Sequence, residues 1–269
     1  MLRIRSLLAA TFAVLLAALF SVVSPAAAGT AKPTIVLVHG AFADATSWDG
    51  VAANLRGRGY AVITPDNALR GPRFDAARLE KVLADIHGPV ILAGHSYGGA
   101  VITEAHSPNV EALVYIAAFG PTAGEPVMAN LDPFRFPGSR LIPPALEVEI
   151  VQDNYGTGIA GKNLDAHVAP RLFREVFAQD VSPATAANMI AHQKSAAVYA
   201  NLEPISNPSW RSTPSWYLIS ENDRVIPPAA QRFMAQRMGA HTSRVAASHA
   251  SLVSQPAIVA DTIVAAATS

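Results

Sequence analysis

The residues best suited to covalent chemistry are a serine set among glycines, a histidine in a short loop and a carboxylate between them in the chain. Gly94-His95-Ser96-Tyr97-Gly98, with Gly99 next, fits the pattern G-x-S-x-G between an apolar run and a helix-like stretch. A sharp turn there would lift the Ser96 hydroxyl to the C-terminal edge of a sheet, and glycine on each flank leaves room for neighbouring backbone. The helix that follows aims its first N–H groups and the positive end of its dipole at the same spot. A serine hydroxyl is a weak nucleophile on its own and needs an adjacent base.

Eight histidines are available for that task. His249, in Ser248-His249-Ala250-Ser251-Leu252, directly follows a strand-like segment and so reaches the same sheet edge; it is the candidate base. His39 and His95 lie beside motif glycines and read as structural, and His87 reads as the C-terminal cap of a helix. His106, His167 and His192 read as surface residues, and His241 opens a strand. A base of this kind needs an acid to fix its tautomer and stabilise the imidazolium. Glu221-Asn222-Asp223 follows another strand; Asp223 is the candidate acid, with Glu221 in reserve and an ion pair of Asp223 with Arg224, or a turn cap, as the competing assignments. After the first strand comes His39-Gly40-Ala41-Phe42, where the N–H of Ala41, paired with that of Tyr97, can hold a developing oxyanion. Each such donor contributes about 3–4 kcal/mol to the transition state. Gly40 allows substrate to approach closely.

These loops need a frame, and the chain supplies one. Apolar runs at Thr34–Val38, Tyr60–Thr64, Val90–Ala93, Ala112–Ala117 and Ser215–Ser220 alternate with stretches at helical spacing, with Thr242–Ala246 as a weaker strand. Strands apolar on both faces and alternating with helices predict an α/β fold with a mostly parallel sheet covered on both sides. The rhythm breaks over about residues 120–210, where prolines crowd and two helix-like pieces (169–179 and 183–199) stand out; an inserted helical cap is expected there. Phe42, Tyr97, Phe119, Phe134 and Phe136 are candidates to line a pocket beneath it, beside Gly40.

Composition narrows the field further. Of 269 residues, 51% are hydrophobic and 15% charged, which excludes a disordered chain. Lys plus Arg equals Asp plus Glu at 20 each, so no charge excess points to nucleic acid. There is no cysteine, hence no disulfide, thiolate metal site or thiol nucleophile. Arg3 and Arg5, the uncharged apolar run over 7–23 and the small residues Ala26-Ala27-Ala28 predict a signal peptide spanning 1–28. The remainder, 29–269, is then a single domain, exported to the medium (or the periplasm of a host with an outer membrane) and without stable membrane association. No phosphate loop, dinucleotide fingerprint or metal-ligand spacing is present; Asp165 and His167 form an isolated pair, so no metal and no cofactor is expected.

Taken together, V-L-V-H-G-A-F, G-H-S-Y-G-G, E-N-D-R-V-I-P-P and S-H-A-S-L resemble the α/β-hydrolase superfamily, most closely the capped serine-esterase branch that includes plant methylesterases and hydroxynitrile lyases. The resemblance runs from about Lys32 to the end, and the chain order Ser96, Asp223, His249 is the order of that fold. It implies a serine hydrolase acting on small-molecule carboxylic esters of small to medium apolar character. Ligand binding with little turnover, or hydroxynitrile lyase or perhydrolase activity at the same three residues, are the alternatives. The lyases of this branch carry threonine where Gly40 stands and lysine directly after the histidine, where this chain has Ala250, which disfavours lyase chemistry.

Overall fold

The computed structural model describes residues 32–269; the expected signal peptide lies outside them. The apolar runs form strands β1 (Thr34–Val38), β2 (Val62–Ile63), β3 (Val90–His95), β4 (Val110–Ile116), β8 (Ser215–Ser220) and β9 (His241–Val245). They assemble one parallel sheet in the order β2-β1-β3-β4-β8-β9. The expected α/β architecture is thus present, and every loop leaving a strand's C-terminus opens on the same edge.

Two apolar layers seal the sheet. On one face, Trp48, Val51 and Leu55 of the α1 region (α1, Asp49–Gly57) and Val259 and Ile263 of α8 (Pro256–Ala267) pack on Ile35, Leu37, Ile91 and Val114. On the other, Leu79 of α2 (Pro72–Ala84), Val101 of α3 (Tyr97–Glu104) and Met234 of α6 (Pro228–Met238) pack on Val36, Val38, Leu92 and Leu113. Proline occupies the first turn of α2, α6 and α8, where a missing N–H costs nothing. Gly239, at φ 64°, ends α6 in the left-handed conformation that glycine adopts without strain.

The chain between β4 and β8 departs from the purely helical cap expected there. It does contain α4 (Pro170–Phe177) and α5 (Pro183–Ala191), but it also holds an antiparallel sheet β5-β6-β7 made from Leu146–Gln152, Lys162–Val168 and Ala196–Ala197. The expected helix over 183–199 stops at Ala191 because residues 196–197 pair with Asp165 and Ala166 instead. Sheet pairing outweighs the helix propensity of the alanines there. A short α7 (Ser251–Ser254) follows the His249 loop. Helix α2 ends at Ala84 with Asp85 as its cap, so His87 is an exposed loop residue rather than a helix cap.

Candidate active site

Ser96 sits between β3 and α3 at φ 53°, ψ −123°, a region that L-residues rarely enter. Main-chain contacts hold it there. Its N–H donates to the Ile116 carbonyl (3.3 Å), and its carbonyl accepts from Gly99 (2.9 Å) and Phe119 (3.0 Å). The flanking glycines are sterically required: a Cβ on Gly94 would lie 2.5 Å from the Gly98 carbonyl oxygen, and one on Gly98 would lie 2.4 Å from that of Val38. The Gly40 backbone approaches so closely that a Cβ there would stand 2.7 Å from the Ser96 Cβ. The loop His39–Phe42 therefore lies directly against Ser96. Tyr97 opens α3, and its N–H belongs to the first turn, which has no intrahelical acceptor.

Asp223 and His249 meet on the same edge, beyond β8 and β9. The His249 Nδ1–H donates to Asp223 Oδ2 at 2.7 Å, with both side chains buried. Four donors converge on that carboxylate: Val225 N (2.7 Å) and Ile226 N (2.9 Å) reach Oδ1, and Gln231 Nε2 (2.8 Å) joins His249 at Oδ2. A carboxylate that only accepts fixes the proton on Nδ1 and turns Nε2 into the free base position. Nε2 is buried with no hydrogen-bond partner, so the Ser96 hydroxyl is not bonded to it in this state. Glu221 instead bonds Arg232 (2.8 Å), and Arg224 donates to the Glu175 carbonyl (2.9 Å), whereas the competing role of turn cap is present, Oδ1 of Asp223 accepting from Val225 and Ile226 N–H while Oδ2 meets His249.

His95 and His39 hold structural positions. His95 is fully buried and its Nε2 donates to the backbone carbonyl of His249 at 2.9 Å, the rings 4.7 Å apart. Burial, followed by the neighbouring His249 imidazole, pushes His95 well below the ordinary imidazole range, so it remains a neutral prop. His39 accepts from Asn67 N at Nε2 (2.9 Å) and bonds the Gly40 carbonyl through Nδ1 (3.0 Å), bracing the loop that carries Ala41.

The pocket candidates separate. Phe42, at φ 61°, borders a cavity of about 70 Å³ shared with Met189, His192 and Val253. Phe119 supports Ser96 through its main chain and is buried in the core. The Tyr97 ring is buried, its hydroxyl donating to Asp75 Oδ2 (2.7 Å) and accepting from Gly71 N (3.1 Å), so it anchors α3 to α2. Phe136 packs on Phe233 of α6 with ring centroids 5.4 Å apart, in the packing of the insertion against that helix. Phe134 is 98% exposed and lines nothing. A larger cavity of about 360 Å³ beneath α2 is lined by Val38, Asn67, Asp75 and Val101, not by Ser96, Asp223 or His249. Among the described residues, no cluster of three or more His, Cys, Asp or Glu is placed to hold a metal ion. Asp165 is engaged by Arg70 (2.7 and 2.6 Å), and His167 stands between Glu147 and Glu149.

Gln231 was not foreseen from the sequence. It is fully buried, accepts from Ser220 N (3.0 Å) and orients Asp223. Its only signal is a polar residue on the inward stripe of α6, between Ala230 and Met234.

A family model described as the alpha/beta hydrolase family matches residues 35–262. The chain belongs to that family. It is 35% identical over 147 residues to a carbendazim hydrolyzing esterase of Nocardioides sp., a match covering 49% of this chain and 56%, little over half, of that protein. It is 30% identical to a pyrethroid hydrolase of Sphingobium wenxiniae, over 85% of each chain. Among solved structures, a pyrethroid hydrolase from Sphingobium faniae JZ-2 superposes with a TM-score of 0.71 at 24% identity, covering 87% of this chain and 97% of that chain.

Proposed function

We propose that this hydrolase cleaves small to medium apolar carboxylic esters through an acyl-enzyme on Ser96. The observation that carries the reading is the buried 2.7 Å bond from His249 to Asp223, with the His249 ring 4.7 Å from that of His95, the residue before a serine held in a strained strand-to-helix turn. Similarity to a carbendazim hydrolyzing esterase and a pyrethroid hydrolase supports the reaction class. In the first half-reaction the Ser96 oxygen bonds to the ester carbonyl carbon while His249 Nε2 takes the hydroxyl proton. Ala41 and Tyr97 N–H groups stabilise the oxyanion. Collapse breaks the bond to the alcohol, which leaves with the proton from His249. Water then attacks the acyl-enzyme, His249 taking its proton, and collapse returns that proton to Ser96 Oγ as the acid departs. The reaction brings the Ser96 hydroxyl and Nε2, unbonded in this state, within hydrogen-bond reach; such bonds often tighten only once substrate is bound. Gly40, Phe42 and Phe119 are the proposed pocket residues.

Ser96→Ala lowers kcat for an aryl ester at least about a thousandfold with its thermal midpoint retained. An aryl phosphonate labels wild type at one equivalent and the variant not at all. Labelling without turnover would identify a ligand-binding protein; turnover by a clean Ser96→Ala preparation would overturn the reading. We also infer export, from Arg3, Arg5, the apolar run that follows and the small residues ending at Ala28. Among the described residues, no helix is long and apolar enough to cross a membrane. Intact mass of protein recovered outside the cell, beginning near residue 29, is the check.

A further inference from the structure

We propose that the turn at Phe177–Asp180, at the end of α4, is a clamp that sets the distance between His249 and Asp223, with Asp180 as a positioning residue. The inference rests on the catalytic roles proposed above. The turn belongs to the insertion, yet its polar contacts run to the two loops that carry the acid and the base. Asp180 Oδ2 accepts from the N–H of Ser248, the residue before the base (2.8 Å), and from the Ser254 hydroxyl at the end of α7 (2.8 Å). The Phe177 carbonyl accepts from Ala250 N, the residue after the base (3.2 Å). The Phe177 ring meets the His249 imidazole edge to face, centroids 4.7 Å apart at 82°. On the acid side, Gln179 Nε2 donates to the Asn222 carbonyl (2.6 Å), next to Asp223.

The geometry makes the clamp specific. Hydrogen bonds from the turn engage the main chain on both sides of His249, and the ring between them bears on the imidazole. His95 closes the fourth side by donating to the His249 carbonyl. Without Asp180 the Ser248 N–H loses its acceptor and the loop is free to shift relative to Asp223. A shift of about 1 Å in a reacting group costs on the order of a hundredfold in rate. One carboxylate oxygen takes both bonds, so an amide oxygen in its place can take both as well. This separates a geometric role from a role for the negative charge.

The test compares Asp180→Ala with Asp180→Asn. Asp180→Ala lowers kcat by about 10- to 100-fold with KM changed by less than about twofold, and Asp180→Asn recovers most of the loss. Equal losses in both variants, or none in Asp180→Ala, overturn the clamp. The low-field NMR resonance of the His249 Nδ1 proton gives a readout independent of turnover: sharp in wild type and Asp180→Asn, broadened in Asp180→Ala. A resonance unchanged in Asp180→Ala also overturns it. Should Asp180→Ala fail to fold, Ser254→Ala removes one of the two donors and leaves the carboxylate; a partial loss of kcat with partial broadening supports the clamp, and no change overturns it. If wild type itself does not turn over esters, the ester reading falls, and the resonance alone decides the clamp.

Discussion

Two buried carboxylates are each held by several donors. Asp223 is surrounded by donors, and Gln231 supplies the one that is neither main chain nor imidazole. Gln231→Met, close in volume, leaves Ser220 N without its acceptor and loosens Asp223. We expect kcat to fall about 10- to 100-fold with KM little altered, read from steady-state kinetics. Asp75 is buried as well. Burial raises its pKa from 3.8 to about 6, against the lowering effect of hydrogen bonds from Tyr97, Arg70 and Gly71. The folded state therefore binds the proton more tightly than the unfolded chain, so stability is full below about pH 4 and declines as pH rises toward 6. The contribution is about 3 kcal/mol. Asp75→Asn removes this component, so the difference in unfolding free energy between variant and wild type should shift in the variant's favour between pH 4 and 6; a difference independent of pH would refute the assignment. At this scale the sequence is most legible in placement: Ser96, Asp223 and His249 each follow a strand as expected, and Asp223 meets His249. Gln231 and Asp180 escaped because a polar residue gains meaning only when the loop it faces is known. Phe134 misled because aromatic character says nothing about direction in a segment without periodicity.

Among the elements, those buried on both faces announced themselves. β1 and β8 have the bounds their apolar runs imply, whereas the edge strand β2 keeps only Val62–Ile63 of the expected run over 60–64. The insertion was harder. β5 carries alternation in Leu-Glu-Val-Glu-Ile, but Val148 and Ile150 are exposed, so no buried stripe reinforces the pattern. A buried ion pair, beside the bond from Ala197 N to the Leu69 carbonyl (3.0 Å), fastens this second sheet to the main one. Arg70, in the loop before α2, forks onto both oxygens of Asp165 in β6, and Ser195 Oγ adds a third bond at 2.7 Å. Arg70→Ala leaves the Asp165 carboxylate buried and unpaired, a loss of about 3–5 kcal/mol. Urea unfolding measures it. The double variant Arg70→Met, Asp165→Leu should lose less than the single Arg70→Ala, because no charge is stranded.

Over the whole molecule, stability is graded from the sheet outward. β3 is buried along its entire length between β1 and β4, while β5 forms an open edge of the small sheet. Hydrogen exchange should therefore release β3 amides only on global unfolding and β5 amides through local opening, several orders of magnitude sooner; equal rates would show that the insertion and the main sheet unfold as one unit. The parallel sheet does more than resist exchange. The support described for residue 96 consists of main chain from β4, from the turn after it and from the neighbouring glycines. None of those bonds reads the side chain mounted there. Mounting and warhead are consequently separable. A lineage built on this frame can exchange the attacking atom, hydroxyl for thiol or carboxylate, and inherit the turn unaltered.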